Sequence, residues 1–129
     1  MFGSRRSLTI LVVDDEEAMT QICARILQHE GYNVRTAMSA ETGLQEVADN
    51  RPDAIILDLR LPDIDGLEFL RRLRVHDTRT PVVVITGDYS INHDDTVMLE
   101  LRTLDAGLVF KPLGREDLIA LVRRLTSSG

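Results

Sequence analysis

Short apolar runs alternate along this chain with longer stretches whose apolar positions recur at helical spacing, five times over. "LTILVV" (8–13) is a continuous apolar run of strand length. The stretch after it sets Met19, Ile22, Cys23, Ile26 and Leu27 on one helical face and stops at Gly31. "NVRTA" (33–37) is a weaker second strand, and Ser39 is placed to cap a helix carrying Leu44, Val47 and Ala48, ended by "NRPD". "AIILD" (54–58) is the third strand. The turn-rich "LPDIDG" leads into a helix that buries Phe69, Leu70 and Leu73, and "PVVVIT" (81–86) is strand four. A long polar loop, "GDYSINHDD", precedes a helix over 95–106. "LVFK" (108–111) is strand five, Leu118, Leu121, Val122 and Leu125 define the last helix, and "TSSG" is a frayed end. Strands that read as unbroken Val/Ile/Leu runs are those covered on both faces. The alternation therefore predicts an α/β fold, a doubly wound parallel sheet with helices on both sides.

In such sheets ligands gather beyond the carboxyl ends of the strands, where the strand order reverses. Those ends carry Asp14 and Asp15 on strand one, Asp58 on strand three, Thr86 on strand four and Lys111 on strand five. With strands one and three as neighbours, three carboxylates, a hydroxyl and an ammonium converge on one crevice. Carboxylates that close repel one another and resist ionisation unless a cation neutralises them. Hard oxygen ligands favour Mg²⁺, or Mn²⁺ in its place, and Mg²⁺ shares its coordination shell with phosphate oxygens. The residues thus point to phosphoryl chemistry, with an Asp carboxylate as covalent acceptor and its neighbours supplying position and charge. No G-x-x-x-x-G-K-[ST] or G-x-G-x-x-G loop is present, so the phosphate need not arrive on a bound nucleotide.

Composition narrows the classes. A length of 129 residues suits one domain, and 43% hydrophobic with 28% charged residues fits a folded chain rather than a disordered or membrane one. A formal charge of -6 disfavours direct contact with nucleic acid. No apolar run approaches the roughly 20 residues of a membrane span. Cys23 is the only cysteine, which excludes an internal disulfide and fits a reducing, cytoplasmic setting. Its helical position marks it as inert core. His29, His76 and His93 lack metal-ligand spacing and receive no role. "RRLR" (71–74) reads as a solvated face.

Taken together, "VVDDEE", "ILDLRLPDIDG", "VVVITG" and "DAGLVFKPL", in that order and each at its strand end, resemble the receiver domains of bacterial two-component response regulators over nearly the whole chain. The resemblance implies a flavodoxin-like sheet of order 2-1-3-4-5 with five helices, as a single receiver domain over 1–129 whose ends, 1–7 and 126–129, are flexible. It implies that Asp58 accepts a phosphoryl group, that Asp15 ligates Mg²⁺ directly and Asp14 through water, and that the backbone carbonyl of Arg60 is a further ligand. Thr86 and Lys111 would bind the phosphoryl oxygens. Lys111-Pro112 is similar to the family's cis peptide, and Gly66 would give the turn into helix three. The implied donor is a sensor histidine kinase or histidine phosphotransfer protein. The output would be altered affinity for a downstream protein, with self-catalysed phosphotransfer and dephosphorylation in place of enzymatic turnover. A homodimer through helix four, strand five and helix five is a further implied partner.

Two other classes compete. A Mg²⁺-dependent phosphatase of the haloacid dehalogenase type places a second Asp two residues after its nucleophile, whereas Asp58 is followed by Leu59 and Arg60, and Asp14 by Asp15 and Glu16. A flavodoxin-like binding module would not need all three acids, and the chain has no Trp to stack on a flavin. No output domain is expected after the last helix, which leaves a stand-alone regulator or a receiver excised from a longer protein.

Three departures from the family pattern stand out. Leu108 occupies the place where many receivers carry a Tyr, Phe or His whose rotation accompanies movement of the Thr; Phe110 lies one pleat further on, beside Lys111, and is not expected to take over. The 87–96 loop is a few residues longer than usual, and its Asp88, Asn92, Asp94 and Asp95 read as helix caps. Arg60 and Asp88 stand two residues past Asp58 and Thr86, where a salt bridge would flank the path of an attacking water.

Overall fold

Five strands, β1 (Thr9–Val13), β2 (Asn33–Ala37), β3 (Ala54–Asp58), β4 (Val82–Thr86) and β5 (Ala106–Phe110), pair in parallel in the order β2-β1-β3-β4-β5. They alternate with helices α1 (Glu17–His29), α2 (Ala40–Asp49), α3 (Gly66–His76), α4 (Asp95–Thr103) and α5 (Arg115–Thr126). This computed structural model describes residues 7–127, so the ends expected to be flexible lie largely outside the described residues. Strand order and helix count match the expectation from sequence.

The unbroken apolar runs are covered on both faces. Leu11, Val13, Ile55, Leu57, Val82 and Val84 pack with Phe69, Leu70 and Leu73 of α3, Val47 of α2 and Leu101 of α4. The alternate positions, Ile10, Val12, Ile56, Val83 and Ile85, pack with Cys23 and Leu27 of α1 and Leu118, Leu121 and Val122 of α5. A period of two in the strands thus assigns α2, α3 and α4 to one side and α1 and α5 to the other. Among the described residues no helix is long and apolar enough to cross a membrane.

Local chemistry sets the element ends. Gly31, at φ +96°, ends α1: its N–H donates to Gln28 O at 3.0 Å and the next, from Tyr32, donates to Leu27 O at 3.1 Å. That paired arrangement needs a left-handed residue, which Gly adopts freely. Ser39 Oγ accepts from Thr42 N–H at 3.1 Å, and Asp65 caps α3 through Glu68 N–H at 2.9 Å. Asp94 accepts from Thr96 and Val97 N–H at 3.1 and 3.2 Å, the capping role expected of the acids in the long loop.

Several expectations are corrected. Ile22 is 55% exposed rather than core, because Cys23, Leu27 and the partly buried Met19 and Ile26 already fill the apolar stripe and Ile22 falls at its edge. Helix α4 stops at Thr103, not 106, since Asp105 turns to φ +55°. Strand β5 starts earlier, at Ala106, and leaves Lys111 just beyond its end. The polar loop holds a short 3-10 helix, Tyr89–His93, anchored by buried Ile91; one apolar residue among polar ones leaves no period to read. Thr126 is helical, its Oγ1 donating to Val122 O at 2.8 Å.

"RRLR" is not simply a solvated face. Arg74 donates to the carbonyls of Leu104 (2.8 Å), Asp77 (3.1 Å), Thr80 (2.9 Å) and Asp105 (3.2 Å). Arg71 pairs with both carboxylate oxygens of Glu100 on α4 and with Glu68. Together these bonds lash α4 and its exit turn to α3.

Gly66 is also reassigned. It has no left-handed φ; instead, a Cβ there would lie 2.9 Å from both Asp58 O and Leu59 Cα. Its N–H donates to Leu59 O at 2.7 Å, so α3 starts hard against the end of β3, and glycine is needed for closeness rather than for a turn. Gly66→Ala should lower the unfolding free energy by about 2 kcal/mol through overpacking against backbone. Urea titration should show this as an earlier midpoint at unchanged slope; an unchanged midpoint would mean α3 can slide away freely.

Candidate phosphoryl-transfer site

Register brings the polar strand ends to one level. Val13 of β1 pairs with Leu57 of β3, Asp58 with Ile85 of β4, and Thr86 with Phe110 of β5. Asp14 continues β1 by one further bond, its N–H donating to Ala37 O at 3.0 Å, and its Oδ1 accepts from Glu16 N–H at 2.9 Å as α1 begins. Asp58 Oδ1 accepts from Arg60 N–H at 3.0 Å. Lys111 N–H donates to Thr86 O at 2.8 Å, which extends the β4–β5 ladder and carries the lysine to the crevice. The Lys111-Pro112 peptide bond is cis.

Strand alternation explains how these side chains meet. Asp14 and Asp58 continue the positions of Val12 and Ile56, and Lys111 continues that of Val109, all on the α1 and α5 side. Thr86 continues Val82 and Val84, on the side of α4. Its hydroxyl therefore reaches the crevice from the opposite face of the sheet to the ammonium. Between them lies an open cavity of about 560 Å³, lined among others by Asp15, Asp58, Arg60, Thr86, Asp88 and Lys111.

Charge in the crevice is unbalanced. Lys111 Nζ stands 3.4 Å from Asp58 Oδ2 and 3.8 Å from Asp14 Oδ2. One oxygen each from Asp14, Asp15 and Asp58 lie within 4.8 Å of one another. Three carboxylates against one ammonium leave two negative charges over. Asp14, only 5% exposed, is pushed up to about 6 by burial, aided by the Asp58 charge and opposed by the Glu16 N–H and Lys111. Three hard oxygen donors graded from buried Asp14 to exposed Asp15 fit an oxygen-loving divalent cation such as Mg²⁺ or Mn²⁺. Lys111 is also the sole lysine in a chain that otherwise uses arginine for its strong bases. A compact ammonium suits a pocket between two carboxylates better than a planar guanidinium does.

Behind the carboxylates lies a small apolar cavity of about 60 Å³, bounded by Met19, Cys23, Ile85 and Leu118 as well as Asp14 and Lys111. Cys23 is buried there, and burial with the nearby Asp14 charge pushes its thiol up.

The mouth is closed on one side by the loop after β4. Thr86, 2% exposed, accepts at Oγ1 from Asp88 N–H at 3.1 Å. Asp88 caps the 3-10 helix through Ser90, whose hydroxyl and N–H hold its carboxyl below the usual range, with Arg60 contributing further. The Arg60 Nη2–Asp88 Oδ2 separation is 3.6 Å, with the arginine largely in solvent.

Two contributors were not singled out from sequence. The Tyr89 ring stacks on Phe110 at 5.1 Å between centroids with an 18° interplanar angle, and its hydroxyl donates to the carbonyl of Lys111. An aromatic three residues past Thr86 was the available signal. Asp63 accepts from Ala40 and Glu41 N–H, both at 2.9 Å, and so fastens the loop after β3 to the start of α2; no local pattern announces a bond across more than twenty residues. Leu108, by contrast, simply packs with the core around Leu101 and Val84.

Known proteins resemble this chain over most of its length. Residues 10–123 match the profile of the response regulator receiver domain. The response regulator MprA of Mycobacterium sp. (strain KMS) is 39% identical over 119 residues, covering 90% of this chain and 49% of its own. The chain thus spans about half the length of the curated relatives it matches. Among solved structures, the chemotaxis response regulator CheY4 of Vibrio cholerae superposes with a TM-score of 0.83 at 28% identity, covering 93% of this chain and 99% of that one. The receiver domain of NtrX from Brucella abortus gives 0.82 at 32% identity, covering 93% and 99%. A family profile over 114 of 129 residues, reinforced by relatives more than a third identical, makes this chain a member of the response regulator receiver domain family.

Proposed function

We propose that this domain takes a phosphoryl group from a phosphohistidine protein onto Asp58, in a Mg²⁺-dependent reaction, and thereby changes its affinity for a downstream protein. The observation that carries the reading is the meeting of Asp14, Asp15 and Asp58 oxygens within 4.8 Å, with the Lys111 ammonium 3.4 Å from Asp58. An Asp58 carboxylate oxygen forms the new P–O bond as the P–N bond to the donor imidazole breaks, and the imidazole leaves with its electron pair. Asp15, Asp58, the Arg60 carbonyl and, through water, Asp14 would hold Mg²⁺, which would supply charge neutralisation between the acceptor and the incoming oxygens. Lys111, released from Asp58, pairs with a phosphoryl oxygen, and the buried Thr86 hydroxyl donates to another. Water later attacks phosphorus and returns the carboxylate. The Arg60–Asp88 pair stands at the mouth that this water crosses. Arg60 also occupies the position where a haloacid dehalogenase-type phosphatase would need its second acid.

Incubated with acetyl phosphate or phosphoramidate and Mg²⁺, the protein should gain one phosphoryl group by intact mass, and Asp58→Ala should gain none. A wild type that gains nothing and binds no beryllofluoride would leave a receiver fold that works without phosphorylation. Asp14→Asn keeps an acceptor for Glu16 N–H and removes a buried charge. It should raise the Tm of the metal-free protein by roughly 4 °C, about 1 kcal/mol for a domain of this size, while abolishing the Mg²⁺-dependent gain of phosphate. Replacing Arg60 and Asp88 together by alanine should speed loss of phosphate about threefold, the rate equivalent of ~0.6 kcal/mol for a partly exposed pair. An unchanged decay would remove the pair from the reaction.

A further inference from the structure

A modification buried in a crevice can alter partner binding only if some surface group changes its equilibrium position with it. Two candidate surface groups are poorly placed to do so. Leu108 packs into the core with Val84 and Leu101 and has neither a ring nor a polar tip to reorient. Helix α4 is held to α3 by the two-pronged Arg71–Glu100 contact, and the turn leaving it is held by Arg74 through the carbonyls of Leu104 and Asp105.

Tyr89 is tied on one side to the Thr86 hydroxyl, through its neighbour, and on the other to the backbone of Lys111. The N–H of its neighbour Asp88 donates to Thr86 Oγ1 at 3.1 Å, and its own hydroxyl donates to the carbonyl of Lys111. Its ring stacks on Phe110, the residue paired with Thr86 across the β4–β5 ladder, yet Tyr89 remains 57% exposed. A threonine hydroxyl has one donor and two acceptor sites. Thr86 can therefore donate to a phosphoryl oxygen while still accepting from Asp88 N–H. Its movement pulls on the loop instead of cutting the connection. The Asp88–Ser90 bonds stiffen the turn through which the pull passes.

We propose that Tyr89 replaces the missing strand-five aromatic as the reporter of this site: when the Thr86 hydroxyl turns to a phosphoryl group, its bond to Asp88 N–H draws the loop with it and the Tyr89 ring swings about its anchor at the Lys111 carbonyl, off Phe110 and toward the crevice. The outcome is a surface on which Phe110 is uncovered and Tyr89 is withdrawn. The inference rests on phosphorylation of Asp58 as proposed above, and the test separates the two.

The chain has two tyrosines and no tryptophan, so Tyr32→Phe leaves Tyr89 as the only tyrosine fluorophore. Iodide quenching of that variant would be measured with Mg²⁺, before and after beryllofluoride, with binding followed independently by ¹⁹F NMR. Quenching should fall about twofold as the ring leaves solvent and its stack. In the same background Thr86→Ala should abolish the response and Thr86→Ser should restore it, which a merely structural role for Tyr89 would not produce. NMR of ring-labelled tyrosine in the unaltered chain reads the same event, with Tyr32 as internal control. Beryllofluoride bound with Tyr89 unmoved would overturn the reporter role and leave the Asp58 reading intact. No beryllofluoride binding would remove both.

Discussion

One lysine facing three carboxylates organises this molecule. Lys111 stands within 4 Å of Asp14 and Asp58, and Asp15 lies beside them, so the crevice carries more negative charge than the protein itself balances. Such a cluster costs stability in the resting fold and is retained where charge must be neutralised from outside. The strands around it supply the rigidity that holds it together. Val13, Leu57 and Val84 are fully buried directly behind the acidic ends, so the carboxylates cannot relax apart by moving the backbone. The hydrophobic sheet and the hydrophilic crevice are thus one construction, with packing on one side sustaining repulsion on the other.

The sheet divides the work between its faces. Lys111 and two of the acids project on the side of α1 and α5, beside a small, mainly apolar cavity that Met19 and Cys23 help to line. Thr86, Phe110 and Leu108 follow the alternation to the side of α4. A group bound in the crevice would touch both, one through charge and the other through a single hydroxyl. The ammonium and the hydroxyl thus stand on opposite faces of one sheet, each backed by its own apolar cluster.

Sequence was most informative where structure is local or repetitive. Unbroken runs such as Val82–Ile85 announced a strand covered twice, and Asp58, Thr86 and Lys111 could be placed because each follows such a run directly. Legibility failed where a residue's partner is remote. Arg74 looks like any solvent-facing arginine until Leu104 and Thr80 arrive to meet it, and Asp63 looks like a turn residue until α2 begins against it. Gly66 reads as a turn former in the sequence, whereas its reason is the Asp58 carbonyl, which any Cβ there would meet at 2.9 Å, a constraint of tertiary distance. The end of α4 was misplaced because Asp105 adopts φ +55° without being glycine, and nothing in "RTLDAG" forces that choice. Tyr89 is illegible for another reason: a tyrosine in a polar loop has no periodicity, and its meaning comes from Phe110 on a different strand.

Arg74 has a consequence beyond stability. Its guanidinium gathers carbonyls from just past α3, just before β4 and the turn before β5, the most distant of them thirty-one residues along the chain from Arg74. Because one side chain holds all of these segments, none can shift without stretching a bond to the others: the pole of the sheet opposite the acidic strand ends is clasped by a single guanidinium.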